Sequence, residues 1–384
     1  MKICLLGLDN LPVMAPEYRA HTVGGESVQQ TLLARALSAR GHEVSMVTAD
    51  YGQPDGAVWE DIRVYKAYRP EAGLPVLRFL HPRWSGLWSA LARANAQIYY
   101  TSCAGMQVGL LALFCQRYGR RMVFRCASDS DCNPSQLLIR YARDRWLYAY
   151  GLRRADAVLV QSSAQAASLW RHYALAGRVA GMLVEPPQLH GERDIDVLWV
   201  GNIRHVKRAD RVLALAAQLP EATIHMVGGP LPGEEALYEH IRREAVRRPN
   251  LTFHGRMAYR DVSAMYARAR LLVNTSEVEG FPNVYLQAWI HGVPVVSYLD
   301  PDGVVRANGL GAVVESPLRM REEVLRLLGD PGALVEASAR CRAFMAREFA
   351  EERILAPYLA AFEGPARNRV RAPGVPAMSE RRHV

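Results

Sequence analysis

An acidic loop at residues 276–282 joins a predicted strand to a predicted helix and carries the carboxylate of Glu279. The strand is the β-rich apolar run 270–274, and Pro282 suits a first helical turn, where a missing N–H costs nothing. Gly292 fits the left-handed position that closes such a helix. The pattern therefore predicts free backbone N–H groups at a helix N-terminus beside a carboxylate. That combination suits phosphate or sugar oxygens and sugar hydroxyls.

A basic loop of the same kind covers residues 201–208, after a predicted strand at 196–200 and at the start of another helix. Lys207 lies near the helix start, with Arg204 and Arg208 on either side. Cations and N–H groups at this place suit phosphate oxygens. Taken alone, the loop is better explained as a solvated basic segment, so its meaning depends on what lies beside it.

The N-terminal half has two further candidates for ligand contact. Gly24 and Gly25 precede a helix and would let the backbone approach a ligand, although a plain turn explains them better when they are taken alone. Asp129 and Asp131 follow a strand, and an Asp-x-Asp pattern there can hold a divalent metal on a diphosphate. Capping of the following turn explains them equally well. The sequence contains no cluster of His and Cys residues of the kind that would predict a metal site.

The composition is that of a globular chain long enough for two domains. It has 384 residues, of which 50% are hydrophobic, and a net charge of +9. The charge suits phosphorylated small molecules or an anionic membrane better than nucleic acid, because the basic residues are dispersed and no nucleic-acid motif is present. Six cysteines without close pairs predict free thiols rather than disulfides. The apolar N-terminal run is too short for a signal peptide.

Strands, Gly-containing loops and helices alternate twice along the chain, which predicts an α/β fold with two doubly wound parallel sheets. Strands are expected at 2–7, 43–48, 97–101, 121–126 and 157–161, and then at 196–200, 223–228, 250–253, 270–274 and 294–297. Helices are expected at 28–39, 209–218, 234–247 and 259–268. The first domain is predicted at 1–185, a linker at 186–193 and the second domain at 194–345. A helix is expected at 346–362, and a disordered basic tail at 363–384.

The Glu279 segment resembles the signature of retaining, nucleotide-sugar-dependent glycosyltransferases of the GT-B type, in the family that shares a Glu, seven residues, Glu motif. The match includes Ser276, Ala288, Gly292, and the runs 279–282 and 294–296. The second Glu of the motif is Gln287 here. The resemblance extends over nearly the whole chain to about Phe362, and it implies two Rossmann-like domains facing a cleft.

The resemblance implies a role for each loop. Glu279 would contact the transferred sugar and Lys207 the diphosphate, while Asn202 stands where the family has Arg, so that Arg204 or Arg208 would supply the missing guanidinium. Gln287 would hold the ribose. The resemblance implies donor contacts at Gly25, Asn202, Arg208, Arg256, Met257, Gly280, Phe281, Pro282, Asn283, Val284 and Gln287, catalytic roles for Glu279, Lys207 and Arg204, and acceptor-side contacts at Gly24, Ser128, Asp129 and Asp131.

We therefore expect a metal-independent glycosyltransferase that uses a UDP- or GDP-sugar, needs no cofactor and acts in the cytoplasm. The acceptor would be a saccharide, a lipid-linked sugar or a small molecule, and no nucleic acid is expected to bind. The alternatives are a binding subunit that has lost catalysis, favoured by Gln287 and Asn202, and a sugar-nucleotide epimerase on the same fold. A Trp-, Leu- and Arg-containing segment at 78–93 leaves a peripheral contact with an anionic membrane open, although packing on the core is the preferred interpretation.

Overall fold

The computed structural model describes residues 1–364, except 19–20, 22, 75–76, 188–191 and 232. All but the first two residues of the tail predicted at 363–384, and the centre of the predicted linker, lie outside the described residues. The strands of the first domain are β1 Lys2–Leu6, β2 Glu43–Thr48, β3 Val58–Trp59, β4 Ile62–Lys66, β5 Ile98–Ser102, β6 Arg121–Arg125, β7 Ala157–Val160 and β8 Arg178–Val179. Those of the second domain are β9 Ile195–Val200, β10 Ile224–Val227, β11 Leu251–Phe253, β12 Ala269–Asn274, β13 Val295–Ser297 and β14 Gly311–Val313.

Helices connect these strands and cover both faces of each sheet. The first domain has α1 Leu11–Met14, α2 Gly25–Ala39, α3 Ser85–Ala94, α4 Met106–Tyr118, α5 Ala142–Arg154 and α6 Ser163–Tyr173. The remaining helices are α7 Ala209–Gln218, α8 Glu235–Val246, α9 Tyr259–Arg268, α10 Asn283–Ile290, α11 Val304–Asn308, α12 Pro317–Gly329, α13 Pro331–Glu348 and α14 Glu351–Glu363.

The two sheets have the strand orders β3-β4-β2-β1-β5-β6-β7-β8 and β11-β10-β9-β12-β13-β14. Within the described strands only the β3–β4 pair is antiparallel. A buried apolar cluster lies on each face of each sheet, so inner strands such as β1 are continuous apolar runs. Chain order reverses at β1 in one sheet and at β9 in the other. Open α/β sheets bind ligands beside such strands, outside their carboxyl ends. The prediction of an α/β chain with two parallel sheets is confirmed.

The chain crosses between the domains twice. On the outward path, Leu183 still exchanges two backbone hydrogen bonds with the side chain of Gln29 on α2, at 3.0 Å each. On the return path α14 packs on the first domain, where Tyr358 donates to the carbonyl of Gly181 at 2.9 Å. The crossing helix expected at 346–362 starts later than the sequence pattern indicated, because α13 continues to Glu348 and the buried side chains of its last turns remain in the second domain core.

Helices long and apolar enough to span a membrane are absent from the described part of the chain. All six cysteines are free thiols, and all but Cys103 are buried. Burial raises the pKa of the Cys4 thiol to about 12, which keeps it protonated and unreactive near neutral pH.

Candidate functional site

The loops that follow β9 and β12 meet at the point where the second sheet changes direction, because these two strands are neighbours. Thr275 joins the loops: its hydroxyl donates to the carbonyl of Lys207 at 2.7 Å and accepts from the indole of Trp199 at 3.0 Å. The backbone N–H of Glu277 also donates to the carbonyl of Val206 at 2.9 Å. The basic loop and the acidic loop are therefore held together as one structure.

Lys207 and Glu279 form an ion pair between these loops. The hydroxyl of Ser276 donates to the same carboxylate oxygen, Oε1 of Glu279, at 2.8 Å. The two charged side chains are 22% and 17% exposed, so water screens the pair only in part. A fixed ammonium and a fixed carboxylate side by side can hold an anionic group and a hydroxyl-bearing group at the same place.

The two arginines that flank Lys207 differ in their partners. Arg208 donates to Asp210 from Nη2 at 2.8 Å and to Glu277 from Nη1 at 2.6 Å. These two carboxylates raise the pKa of the Arg208 guanidinium, and all three of its nitrogens already donate to protein carboxylates. Arg204 is half-buried and has no ion pair or side-chain hydrogen bond within the described ranges. Of the two, Arg204 is the one whose donors remain available to a ligand.

The backbone of α10 begins at the edge of the same site. Pro282 is the residue before the helix, which runs from Asn283 to Ile290, and Gly292 follows with a φ of 69°, as predicted for the residue that closes it. Phe281 and Val284 pack their side chains on the second domain core. The first N–H groups of α10 therefore lie between the acidic loop and the first domain.

The first domain meets these loops across the cleft. The amide of Asn202 donates to the carbonyl of Val23 at 3.3 Å. A Cβ at Gly25 would overlap the side-chain amide of Asn283, whereas a Cβ at Gly24 would find only Ser27 Oγ, at 4.0 Å. The two glycines expected to permit close approach thus differ: only at Gly25 would a side chain displace a neighbour, the side-chain amide of Asn283.

Sequence reasoning missed two glutamines of the first domain that reach the acidic loop. The backbone N–H of Phe281 donates to Gln161 Oε1 at 3.2 Å. A Cβ at Gly280 would lie 2.6 Å from Gln161 Oε1, 2.9 Å from Gln165 Nε2 and 3.4 Å from Ser128 Cα. Gln161 follows β7 directly. Its position at the carboxyl end of a strand, where open α/β sheets bind ligands, was the signal in the sequence that could have identified it.

The Asp129 and Asp131 carboxylates have separate environments. Asp131 caps the turn that starts at Ser128: it accepts from the N–H of Ala127 at 2.8 Å and from Ser128 Oγ at 3.0 Å. Burial raises its pKa to about 6. Asp129 accepts from Gln165 at 3.0 Å, and burial raises its pKa as well. Asp131 therefore has the capping role that was the alternative to ligand contact, whereas Asp129 is linked through Gln165 to the cleft.

Gln287 lines a small cleft on the linker side of α10, together with Glu185, Ser263 and Tyr266. Glu185 Oε1 accepts from Arg35 Nη1 at 2.6 Å. The cleft thus contains a carboxylate in addition to the carboxamide of Gln287.

The loop that follows β11 lies farther along the same sheet edge. Arg256 is exposed and donates to the carbonyl of Pro230 at 3.0 Å, and Met257 packs on the second domain core. In the described ranges no group of three or more His, Cys, Asp or Glu side chains is arranged to hold a metal ion.

Comparisons with known proteins match the two domains separately. Residues 24–182 match the family described as glycosyl transferase 4-like domain, and residues 194–330 match the family described as glycosyl transferases group 1. No curated protein matches the chain by sequence.

Several solved structures share the fold over almost the whole chain. Sucrose-phosphate synthase from Thermosynechococcus elongatus is 21% identical with a TM-score of 0.73, covering 94% of this chain and 98% of its own. The Anabaena protein HepE in complex with UDP and glucose is 17% identical with a TM-score of 0.71, covering 94% and 100%. WaaG, a glycosyltransferase involved in lipopolysaccharide biosynthesis, is 16% identical with a TM-score of 0.64, again covering 94% and 100%. At these identities the likeness establishes the two-domain GT-B fold.

Proposed function

We propose that this chain, which belongs to the glycosyltransferases of the GT-B type, transfers a hexose from a UDP- or GDP-sugar to an acceptor hydroxyl with retention of configuration. The observation that carries the proposal is the Lys207–Glu279 pair at the switch point of the second sheet. The bound UDP and glucose of the HepE structure favour UDP as the nucleotide.

The ammonium of Lys207 and the guanidinium of Arg204 would neutralise the diphosphate, whose charge grows as the sugar leaves. Glu279 would accept hydrogen bonds from hydroxyls of the transferred sugar and orient it over the phosphate. Both side chains then exchange part of their mutual contact for contacts with the donor. Because charge develops on the diphosphate in the transition state, fixed cations there contribute most at that point.

The acceptor would approach from the first-domain side, past Gln161, Gln165 and Asp129. Within the described residues, no side chain beside Glu279 is arranged as a general base toward an incoming hydroxyl. The departing phosphate oxygen is therefore the proton acceptor in this proposal. Attack from the side on which the diphosphate leaves retains the anomeric configuration.

The proposal includes activity without a divalent metal, because two side-chain cations stand where a metal would otherwise neutralise the diphosphate. Asp131 is committed to capping, and Asp129, which accepts from Gln165, would lie on the acceptor side. Turnover should persist in excess EDTA. Loss of turnover that Mg²⁺ or Mn²⁺ restores would contradict this part of the proposal.

A binding subunit without catalysis is the second candidate, favoured by Gln287 and Asn202 at positions where the resembling family has charged residues. The structure gives Asn202 a different task, since its amide reaches the first domain at Val23. An epimerase on this fold would need acid and base groups beside the sugar. The location proposed for the enzyme is the cytoplasm, in keeping with six free thiols.

The deciding experiment is calorimetric titration with UDP, GDP and ADP, followed by incubation with the matching nucleotide-sugars and NMR of the anomeric proton. We expect one diphosphate to bind preferentially and its sugar to be released to water or acceptor with the original anomeric configuration. Inverted product would overturn retention. Tight binding without release of any sugar would favour the binding subunit.

A further inference from the structure

Large apolar side chains lie exposed along one rim of the first domain. Leu77 and Leu80, ahead of α3, are 56% and 61% exposed, and Leu138, Tyr141 and Trp146, around the start of α5, are 80%, 51% and 64% exposed. We call the segments 77–84 and 138–146 together the arginine–aromatic rim. The two segments touch, because the guanidinium carbon of Arg143 lies 3.6 Å from the ring centroid of Phe79.

The same rim is strongly basic. It contains one acidic residue, Asp144, which is paired with Arg143 at 2.8 Å. The guanidinium of Arg140 lies 5.5 Å from the ring of Tyr141, and Arg145 donates to the carbonyl of Ile139 at 2.7 Å. Neither Arg140 nor Arg145 has an acidic partner within the part of the chain that the structure describes. The arginines of the rim are Arg78, Arg83, Arg140, Arg143 and Arg145.

The rim lies on the cleft side of the first domain. Segment 77–84 leads into the start of α3, and segment 138–146 leads from the turn after β6 into the start of α5. In a parallel sheet, helices start near the carboxyl ends of the strands, which is the edge that faces the cleft. The interior side of the first segment is packed: Trp84 and Trp88 lie against the core, as the preferred sequence interpretation predicted.

We propose that the arginine–aromatic rim docks the first domain on an anionic phospholipid surface. Leucine, tryptophan and tyrosine side chains interleaved with arginine match the boundary between headgroups and acyl chains, where arginine reaches phosphate and the rings stay at the interface. A nucleic acid would need free aromatic faces, but Trp146 is already stacked on Tyr150 at 5.5 Å and Arg140 lies over Tyr141. Binding of this kind needs no sugar donor, so its test is separate from that of the transfer reaction.

The experiment is sedimentation of the full chain with vesicles of phosphatidylcholine alone or with about 30 mol% phosphatidylglycerol, at low and high salt. We expect binding only to the anionic vesicles, weakened by salt. Arg140→Gln/Arg145→Gln should reduce the partition coefficient about 25-fold, since each arginine at such a surface contributes roughly fivefold. Leu138→Ser/Trp146→Ser should weaken the binding that remains at high salt.

A matched pair on the second domain is the control. Leu318 is 59% exposed, and Arg319, although paired with Glu322, has a 71% exposed side chain, so Leu318→Ser/Arg319→Gln makes one substitution of each kind elsewhere and should bind vesicles like the wild type. Thermal melting and circular dichroism verify that each variant is folded. Brominated lipids should quench the fluorescence of the wild type more than that of Trp146→Phe.

Three results would overturn the proposal. They are equal binding to both vesicle types, an equal loss in the control pair, and wild-type affinity in both rim variants. If light scattering shows that the wild type is a dimer, that Leu138→Ser/Trp146→Ser is a monomer and that neither binds vesicles, the rim is instead an interface between two copies of the chain.

Discussion

Substitution of Lys207 by alanine tests the central contact of the proposed donor site. In the unliganded protein this ammonium is paired with Glu279, and the pair is about four-fifths buried. Lys207→Ala therefore does two things. It removes a cation from the diphosphate, and it leaves the Glu279 carboxylate without its partner beside an incoming anion.

The two effects have different sizes. A hydrogen bond between charged groups contributes about 1.5–3 kcal/mol, so its loss should weaken nucleoside diphosphate binding roughly 10- to 150-fold. An unpaired carboxylate at roughly 5 Å from a phosphate charge adds up to about 3 kcal/mol of repulsion at an effective dielectric constant near 20. The double variant Lys207→Ala/Glu279→Gln also removes the lysine contact with the diphosphate. It removes one positive and one negative charge together, however, so no unpaired carboxylate faces the phosphate. The double variant should therefore bind UDP more tightly than Lys207→Ala.

Calorimetry gives the affinities, and chemical labelling gives an independent measurement. The chain has only three lysines, Lys2, Lys66 and Lys207. With an amine-reactive reagent and mass spectrometry, saturating UDP should protect Lys207 alone. Lys2 and Lys66, paired with Glu43 and Asp50 on the first domain, are internal controls.

Two outcomes would refute the reasoning. The first is unchanged UDP affinity in a Lys207→Ala protein with a wild-type melting temperature. The second is equal labelling of Lys207 with and without UDP. A double variant that binds more weakly than the single variant would show that Glu279 assists diphosphate binding instead of opposing it.

Three more substitutions test other parts of the site. Glu279→Gln should lower kcat about 100-fold, because the contact of Glu279 with the sugar matters most in the transition state. The affinity for UDP should be equal or higher, because Lys207 is released from its partner. Equal losses in kcat and in UDP affinity would contradict this. Gly25→Ala should weaken donor binding, because a Cβ there displaces the side-chain amide of Asn283 at the start of α10, whereas Gly24→Ala should behave as wild type; equal UDP affinity in the two variants would contradict this. Burial raises the pKa of Asp131 to about 6. From about pH 4 to 6 the unfolded chain loses this proton before the folded chain does, so the wild-type free energy of unfolding should fall with rising pH relative to Asp131→Asn in urea melts.

Much of the fold could be predicted from the sequence, because apolar strands and helix signals recur in order. Helices α7 and α9 have the expected bounds, and most expected strands differ from those observed by one or two residues. The inner strand β4 was not predicted, since only Ile62 and Val64 of its five residues are buried and it has no continuous apolar run. The edge strands β3, β8 and β14 were not predicted either. They are two or three residues long, and β3 and β8 are largely exposed, so they lack the apolar runs by which a strand is recognised.

The site was less accessible to sequence reasoning, since its decisive contacts join residues far apart in the chain. Sequence order left Arg204 and Arg208 equivalent as the second cation. Only the folded chain adds Glu277, 69 residues away, to the nearby Asp210 as a partner of Arg208, and leaves Arg204 without an anion in the described ranges. Likewise, nothing in the spacing of Gln161 and Phe281 indicates that they meet across the cleft.

The surroundings of Gln287 bear on whether this residue marks a protein that has lost its catalytic activity. Its cleft is also lined by Glu185, whose carboxylate is held by Arg35 on α2 of the first domain. A glutamate at position 287 would bring a second negative charge into this cleft, at an electrostatic cost. A carboxamide beside an existing carboxylate keeps hydrogen-bonding capacity for a diol without that cost. Gln287 is thus better explained by the neighbouring Glu185, at the end of the first domain, than by loss of catalysis, and the Lys207–Glu279 pair that the chemistry would need is intact.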